Sequence, residues 1–378
     1  MADHRALVIT EPGVIALQDA AALVPGPGEV VARPAYVGVC GTDLELLDGV
    51  VDPAYVRYPL VPGHEWSGVV EAVGPGVTTL SPGQPVIAEG IIPDRVCAQC
   101  ARGNTNLCLT YDEIGFTRAG AAADQLLLPA QVVHPLAAPP RLSTGRASKG
   151  SAATVSLADA ALAEPAAVAW RGITRGRPRP GERIAVVGDG TVGLITAHLL
   201  RLYAPAELVV FGQRADQSGL AAELGATAFE LAAPSAPPAP TSSTPPTSST
   251  PSTPPTPAAP PGQFDLVIEA AGKPAAVEAA IALARRGGRV VLLGLAGNGV
   301  TAALPIDDVV NNDLSIAASF GYTSAAWAEV AGLFRAGKIH LSPLITHRYP
   351  IEAFTDAYRT LRAGTGPRGK VLLEVNPV

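Results

Sequence analysis

The run Arg183-Ile184-Ala185-Val186-Val187, followed by Gly188-Asp189-Gly190-Thr191-Val192-Gly193 and the apolar stretch VGLITAHLLRLYA, constrains this chain more than any other segment. A strand-length apolar run that ends in G-x-G-x-x-G and opens a helix has the pattern of a phosphate-binding turn in a strand–helix–strand unit. Gly188 permits the tight turn, Gly190 lets backbone approach a pyrophosphate, and Gly193 allows close packing of helix on strand. Thr191 and Val192 begin the helix, whose free N–H groups face the phosphates. Glycines also punctuate ordinary packing turns, so the flanking strand and helix carry the reading. Downstream the pattern alternates through ELVVFG, DQSGLAAELG, FDLVIEAAG, PAAVEAAIALARRGG and RVVLLGLAG. Strands alternating with helices predict a parallel, doubly wound sheet.

The second strand of such a unit ends in an acid when the ribose 2′-hydroxyl of NAD is to be held. Here it ends in Gly212, Gln213 and Arg214. A small residue leaves room for a 2′-phosphate and Arg214 can pair with it, so NADP is expected over NAD.

Upstream, RALVIT, EVVARPAYVGV, WSGVVEAVG, QPVIAEGII and ADQLLLPA are short apolar runs between Gly/Pro turns, an all-β pattern. At 378 residues the chain exceeds one typical domain. The expected division is a β-rich domain at 1–160, completed by 306–378, and a dinucleotide-binding domain at 161–305. Residues 232–262 are almost wholly Pro, Ser, Thr and Ala, too poor in apolar side chains to build a core, and are expected to form a disordered insertion. Hydrophobic residues are 48%, ample for the two cores, while a net charge of −6 without a basic run excludes a nucleic-acid footprint. No apolar run is long enough to span a membrane and none resembles a secretion signal, so a soluble cytoplasmic protein with a small-molecule ligand is expected.

Three of the four cysteines crowd into twelve residues as Asp94-x2-Cys97-x2-Cys100-x7-Cys108. In a chain without a secretion signal that spacing favours metal over disulfides. The fourth, Cys40, lies in Val-Cys-Gly-Thr-Asp after a strand, and Gly63-His64-Glu65 follows in a second turn. Thiolate, imidazole and carboxylate are zinc-type ligands, and Glu164 can close the set while one position stays open for a substrate oxygen. The aromatics Trp66, Tyr58 and Phe116 are assigned to cores or the domain junction.

With VCGTD, PGHEWSGVVEAVGPGV, the cysteine lobe, Glu164-Pro165, GDGTVGL and ITHRYP in this order, the chain resembles the zinc-dependent medium-chain alcohol/polyol dehydrogenases over nearly its whole length apart from the insertion. The resemblance implies an α/β architecture: a GroES-like β-rich catalytic domain plus a doubly wound Rossmann domain, with homodimers or homotetramers paired near RVVLLGLAG. Cys40, His64, Glu65 and Glu164 match the catalytic zinc positions, and glutamate at 164 resembles the polyol branch. Asp94 stands where the structural-zinc lobe usually has its first cysteine. Glu45 replaces the histidine that completes a proton relay in many members, while Thr42 keeps the hydroxyl.

GHEWSG, GFTRAGAAADQL and EPAAVA are similar to dehydrogenases that oxidise 2-deoxy-scyllo-inosamine in aminoglycoside pathways. The reaction implied is hydride transfer between NADP and a secondary hydroxyl of a polyol or aminocyclitol. Two alternatives remain: a zinc dehydrogenase of a simple secondary alcohol, sugar or amino alcohol such as threonine, and a non-catalytic NADPH-binding protein.

Overall fold

The computed structural model describes residues 4–137, 155–231, 262–364 and 369–377. The chain opens with an antiparallel hairpin of β1 (His4–Glu11) and β2 (Val14–Ala20). β3 (Glu29–Val39) runs into the short helix α1 (Gly41–Asp48), and β4 (Glu65–Val73) returns antiparallel to β3. β5 (Pro85–Ala88) extends this sheet, while β6 (Ile91–Ile92) pairs with β7 (Asp112–Glu113) to enclose a lobe holding α2 (Ala98–Ala101). β8 (Leu126–Pro129) pairs with β3 and β9 (Val133–Pro135) with β5.

The helical stretch from 157 divides into α3 (Leu157–Ala160) and α4 (Ala163–Gly176). There follow β10 (Arg183–Val187), α5 (Thr191–Leu200), β11 (Glu207–Gly212), α6 (Ser218–Glu223) and β12 (Ala228–Leu231), then β13 (Phe264–Glu269), α7 (Pro274–Leu283), β14 (Ala284–Leu292), α8 (Ile306–Asn311) and β15 (Ser315–Ala318). The six strands are parallel in the order β12-β11-β10-β13-β14-β15, so the order reverses between β10 and β13, where a doubly wound sheet opens its ligand crevice. After α9 (Ser324–Arg335), β16 (Ile345–Pro350) and α10 (Phe354–Ala363), β17 (Lys370–Glu374) pairs with β3 and closes the order β16-β17-β3-β4-β5-β9.

The central parallel strands are buried on both faces, as continuous apolar runs require: Ile184, Val186, Leu208, Val210, Leu266 and Ile268 are all sealed from solvent. One core runs from these strands through Ala163, Ala166 and Ile173 of α4 to Trp327 of α9 and on to Ile87 and Ile91, which joins the parallel sheet to the β-rich part.

Three expectations are corrected. The parallel sheet does not end by 305, because β15 adds its sixth strand and α9 packs against α4; only from β16 does the chain return to the first sheet. SIAA is too short an apolar run to announce a strand. RVVL of β14 is interior, and the edge belongs to β15. The upstream part is not purely β, since α1 and α2 interrupt it at the two cysteine motifs. The Pro/Ser/Thr-rich stretch at 232–261 lies outside the described residues. Among the described residues no helix is long and apolar enough to cross a membrane.

Candidate metal centre and dinucleotide site

β3 delivers Cys40 to the N-terminus of α1, where its N–H donates to Asp43 Oδ2 at 2.8 Å and its thiol lies 3.8 Å from the Thr42 hydroxyl. Pairing of Gly38 with Glu65 sets His64 and Glu65, at the head of β4, beside it. The donor atoms of Cys40, His64 and Glu65 all lie within 4.8 Å of one another. Sulfur, nitrogen and oxygen at that spacing fit a zinc ion. His64 Nδ1 faces the buried Asp43 Oδ1 at 3.7 Å, and neither atom has a hydrogen-bond partner. An outer carboxylate on one ring nitrogen leaves Nε2 for a metal. Burial pulls the imidazole down, but the Cys40 thiol and Asp43 outweigh it and hold His64 well above its ordinary range.

Glu164, in the first turn of α4, does not join this set. Its carboxyl faces His64 and Glu65 at longer range; burial pushes it up to about 7, with His64 opposing and Glu65 adding. Glu45 is exposed on α1 and takes no part.

The sequence reading missed four neighbours. Asp43 accepts the Cys40 N–H and faces His64. Lys370, at the head of β17, reaches Glu65 Oε1 at 2.6 Å with both groups buried. Gly38 makes the pair possible: a Cβ there would stand 2.5 Å from Glu65 Oε2 and 2.8 Å from Lys370 Cε. The Tyr322 hydroxyl accepts the Gly90 N–H at 2.9 Å beside His64. Glu113 of β7 completes the group, and Phe116, assigned to the core, tilts its ring against His64 at 5.3 Å. The local signals were one of four lysines heading an apolar strand, and the second of two acids between Tyr111 and Ile114.

Asp94, Cys97, Cys100 and Cys108 form a second set within 4.8 Å. The Cys97 and Cys108 sulfurs are 4.0 Å apart, near the roughly 3.8 Å edge of a tetrahedron with zinc–sulfur bonds of about 2.3 Å. Asp94 Oδ1 accepts the Val96 and Cys97 N–H groups and Oδ2 the Thr110 hydroxyl, which hold its carboxyl well below the usual range. It is thus kept ionised, as a ligand must be. The lobe grips the segment before α9: Thr105 Oγ1 accepts the Ser324 N–H at 2.8 Å and Asn106 donates to the Phe320 carbonyl at 2.8 Å.

At the crevice Gly188 ends β10 with φ 130°, and a Cβ on Gly193 would stand 2.1 Å from the Gly188 carbonyl oxygen. Nothing lies within 4 Å of a Cβ position on Gly190, so the start of α5 is open to a phosphate. Thr191 donates to the Gly369 carbonyl, and Val192 packs at the edge of the core. Asp189 Oδ2 accepts the Gln213 and Arg214 N–H groups at 3.1 Å, with Arg214 Nε 3.9 Å away, so it fixes the turn after Gly212.

Residues 26–138 match the alcohol dehydrogenase GroES-like domain and 191–336 the zinc-binding dehydrogenase family. Sorbitol dehydrogenase of Gallus gallus is 30% identical over 99% of this chain and 97% of its own length. The chain is a zinc-binding dehydrogenase. Solved structures agree on this oxidoreductase fold. A zinc-binding dehydrogenase from Sinorhizobium meliloti 1021 bound to NADP superposes with TM-score 0.82 at 25% identity, covering 99% of this chain and all of the other. An alcohol dehydrogenase from Pyrobaculum aerophilum with cobalt and zinc bound gives 0.78 at 28%, with 99% and 100% coverage. Cys40, His64 and Glu65 fall within the first matched region, and the second begins at Thr191 inside the glycine turn.

Proposed function

We propose that this dehydrogenase transfers hydride between NADP and a secondary hydroxyl of a polyol or aminocyclitol, of the 2-deoxy-scyllo-inosamine type. The observation that carries the chemistry is the convergence of Cys40, His64 and Glu65 donor atoms within 4.8 Å. A zinc ion held by Cys40, His64 and Glu65 would supply Lewis acidity that eases loss of the alcohol proton, and a bound nicotinamide would supply the hydride acceptor. Thr42, beside Cys40, would orient the hydroxyl and relay its proton, taking it up as the threonine's own hydroxyl proton passes on toward water. Glu164 faces the same space and can exchange a proton with it, while Asp43 and Lys370 hold His64 and Glu65. A glutamate at 164 and the sorbitol dehydrogenase relative support a polyol; the absence of an acid at the end of β11, with Arg214 there, supports NADP.

The closing test is a rate panel with zinc-loaded protein, NADP or NAD, and 2-deoxy-scyllo-inosamine, myo-inositol, sorbitol, threonine and 2-propanol. Preferential NADP-linked oxidation of the aminocyclitol is expected. Turnover of simple alcohols alone would remove the substrate assignment and keep the chemistry.

A homodimer belongs to the same proposal. β15 is an edge strand, and Leu295, Ile306, Val310 and Phe320 are exposed between the end of β14 and the start of α9. An open edge flanked by apolar side chains favours pairing with a second copy. Light scattering should give twice 38.4 kDa; a monomer at micromolar concentration would refute it.

A further inference from the structure

Ile91 of β6 stands directly opposite Glu113 of β7. Residues opposite one another in an antiparallel pair present their side chains to the same face. Ile91 is buried in the core with Tyr322 and Trp327, and its Cδ1 is 3.6 Å from where a side chain on Gly321 would begin. Glu113 is therefore aimed at the junction of the two sheets, where His64, Glu164 and Tyr322 stand, and it is half-buried there. Its backbone is fixed: the N–H donates to Thr117 Oγ1 at 2.8 Å, the carbonyl accepts from Phe116, Thr117 and Arg118, and the next N–H donates to Gly90, the neighbour of His64. Burial holds the carboxyl above its ordinary range, with His64 opposing, and its charge acts in turn on Glu164 and Tyr322.

The other carboxylates of this junction have work or partners. Glu65 has Lys370, Asp43 has the Cys40 N–H and His64, Glu89 has His134 and Ser324, and Glu164 faces the metal site. Among the described residues the Glu113 carboxylate has neither a hydrogen bond nor an ion pair. A carboxylate turned from water toward the junction without a donor is unfavourable until a ligand brings one. Among the described residues Asp43, Glu65, Glu164 and Glu113 converge on this junction and Lys370 is already held by Glu65, so a cationic group on a ligand would be favoured there. A hydroxyl offers Glu113 one donor and no charge; an ammonium offers three donors and the missing charge.

We infer that Glu113 recognises a protonated amine on the substrate, so that the preferred alcohol is an amino alcohol. The inference rests on the dehydrogenase reading above and adds which group of the substrate selects it. The probes are cyclohexylamine and cyclohexanol, titrated calorimetrically into the full-length protein loaded with zinc and NADPH. The ammonium should bind roughly ten- to a hundredfold more tightly than the alcohol, the range set by a hydrogen bond to a charged group. In Glu113→Gln, checked for an unchanged thermal melt, that ratio should collapse toward one. The ratio of kcat/KM for an aminocyclitol over its hydroxyl counterpart should fall with it. Equal affinities in the wild type, or a variant that weakens both probes alike, would overturn the inference. Failure of the dehydrogenase reading shows separately: no NADPH from any alcohol in the panel, with the amine preference intact, supports the recognition and removes the reaction.

Discussion

Arg214, after β11, and Lys370, against Glu65, are single side chains at which the cofactor and metal readings can be tested separately. Arg214 closes the turn after β11, held 3.9 Å from Asp189. If it pairs with a 2′-phosphate, Arg214→Ser should cut kcat/KM for NADP about 10- to 100-fold, the loss of one charged hydrogen-bonded contact, while NAD changes by no more than a few-fold. Cofactor titrations of the two proteins check this, and an unaltered NADP/NAD ratio would remove Arg214 from the site. Among the described residues Lys370 is the one cation on the buried Glu65. Lys370→Met leaves that carboxylate uncompensated, at a cost of about 3–5 kcal/mol to the metal-free protein. With zinc present the ion should take over part of the neutralisation, so the melting-temperature gap between variant and wild type should narrow on loading. A gap of the same size with and without zinc would show that Glu65 does not reach the metal.

Elements differ in how far sequence announces them. β10, the glycine turn and α5 were legible because every determinant is local: an apolar run, three glycines at fixed spacing, then helix-forming residues. The Cys97–Cys108 lobe was legible for the same reason. Lys370 was not, because it meets Glu65 across 305 residues and only the pairing of β17 with β3 brings them together. β15 was missed because its four residues carry too few apolar side chains to show a period. Nor could spacing reveal that the lobe holds the Phe320–Ser324 segment, whose Tyr322 stands over Gly90. That link has a consequence. Cys100→Ser should reduce bound zinc from two ions per chain to one and raise KM for the alcohol more than it lowers kcat, because the wall of the cleft loosens while Cys40, His64 and Glu65 stay in place. Metal analysis with steady-state kinetics checks it; loss of both ions would mean that the centres are not separable.

For the molecule as a whole, the connection between its two sheets is vulnerable at one titratable point. His198, at the end of α5, is 7% exposed; its Nε2 accepts the His340 N–H at 3.2 Å, and Arg201 lies 3.2 Å from Nδ1. Asp159 of α3 accepts the next N–H, from Leu341, and the Ser342 hydroxyl, so α3 and α5 together hold the segment that leads the chain from α9 back to β16. Burial, with the Arg201 charge adding, pulls the His198 imidazole down to about 4 from its ordinary 6.5. The folded state therefore resists the proton that the unfolded chain accepts. Above about pH 6.5 the group is neutral in both states and costs nothing. As pH falls from there toward about 4 the unfolded chain takes up the proton first, and stability drops by up to about 1.4 kcal/mol per unit, about 3 kcal/mol in all. Carboxylates titrate over part of the same range, so the informative quantity is the difference from His198→Gln, which keeps an acceptor and cannot be protonated. Urea unfolding at pH 7.5, 6 and 5 should show the wild type losing stability on the variant at each step down; parallel curves would mean that His198 is no harder to protonate in the folded protein than in the unfolded chain.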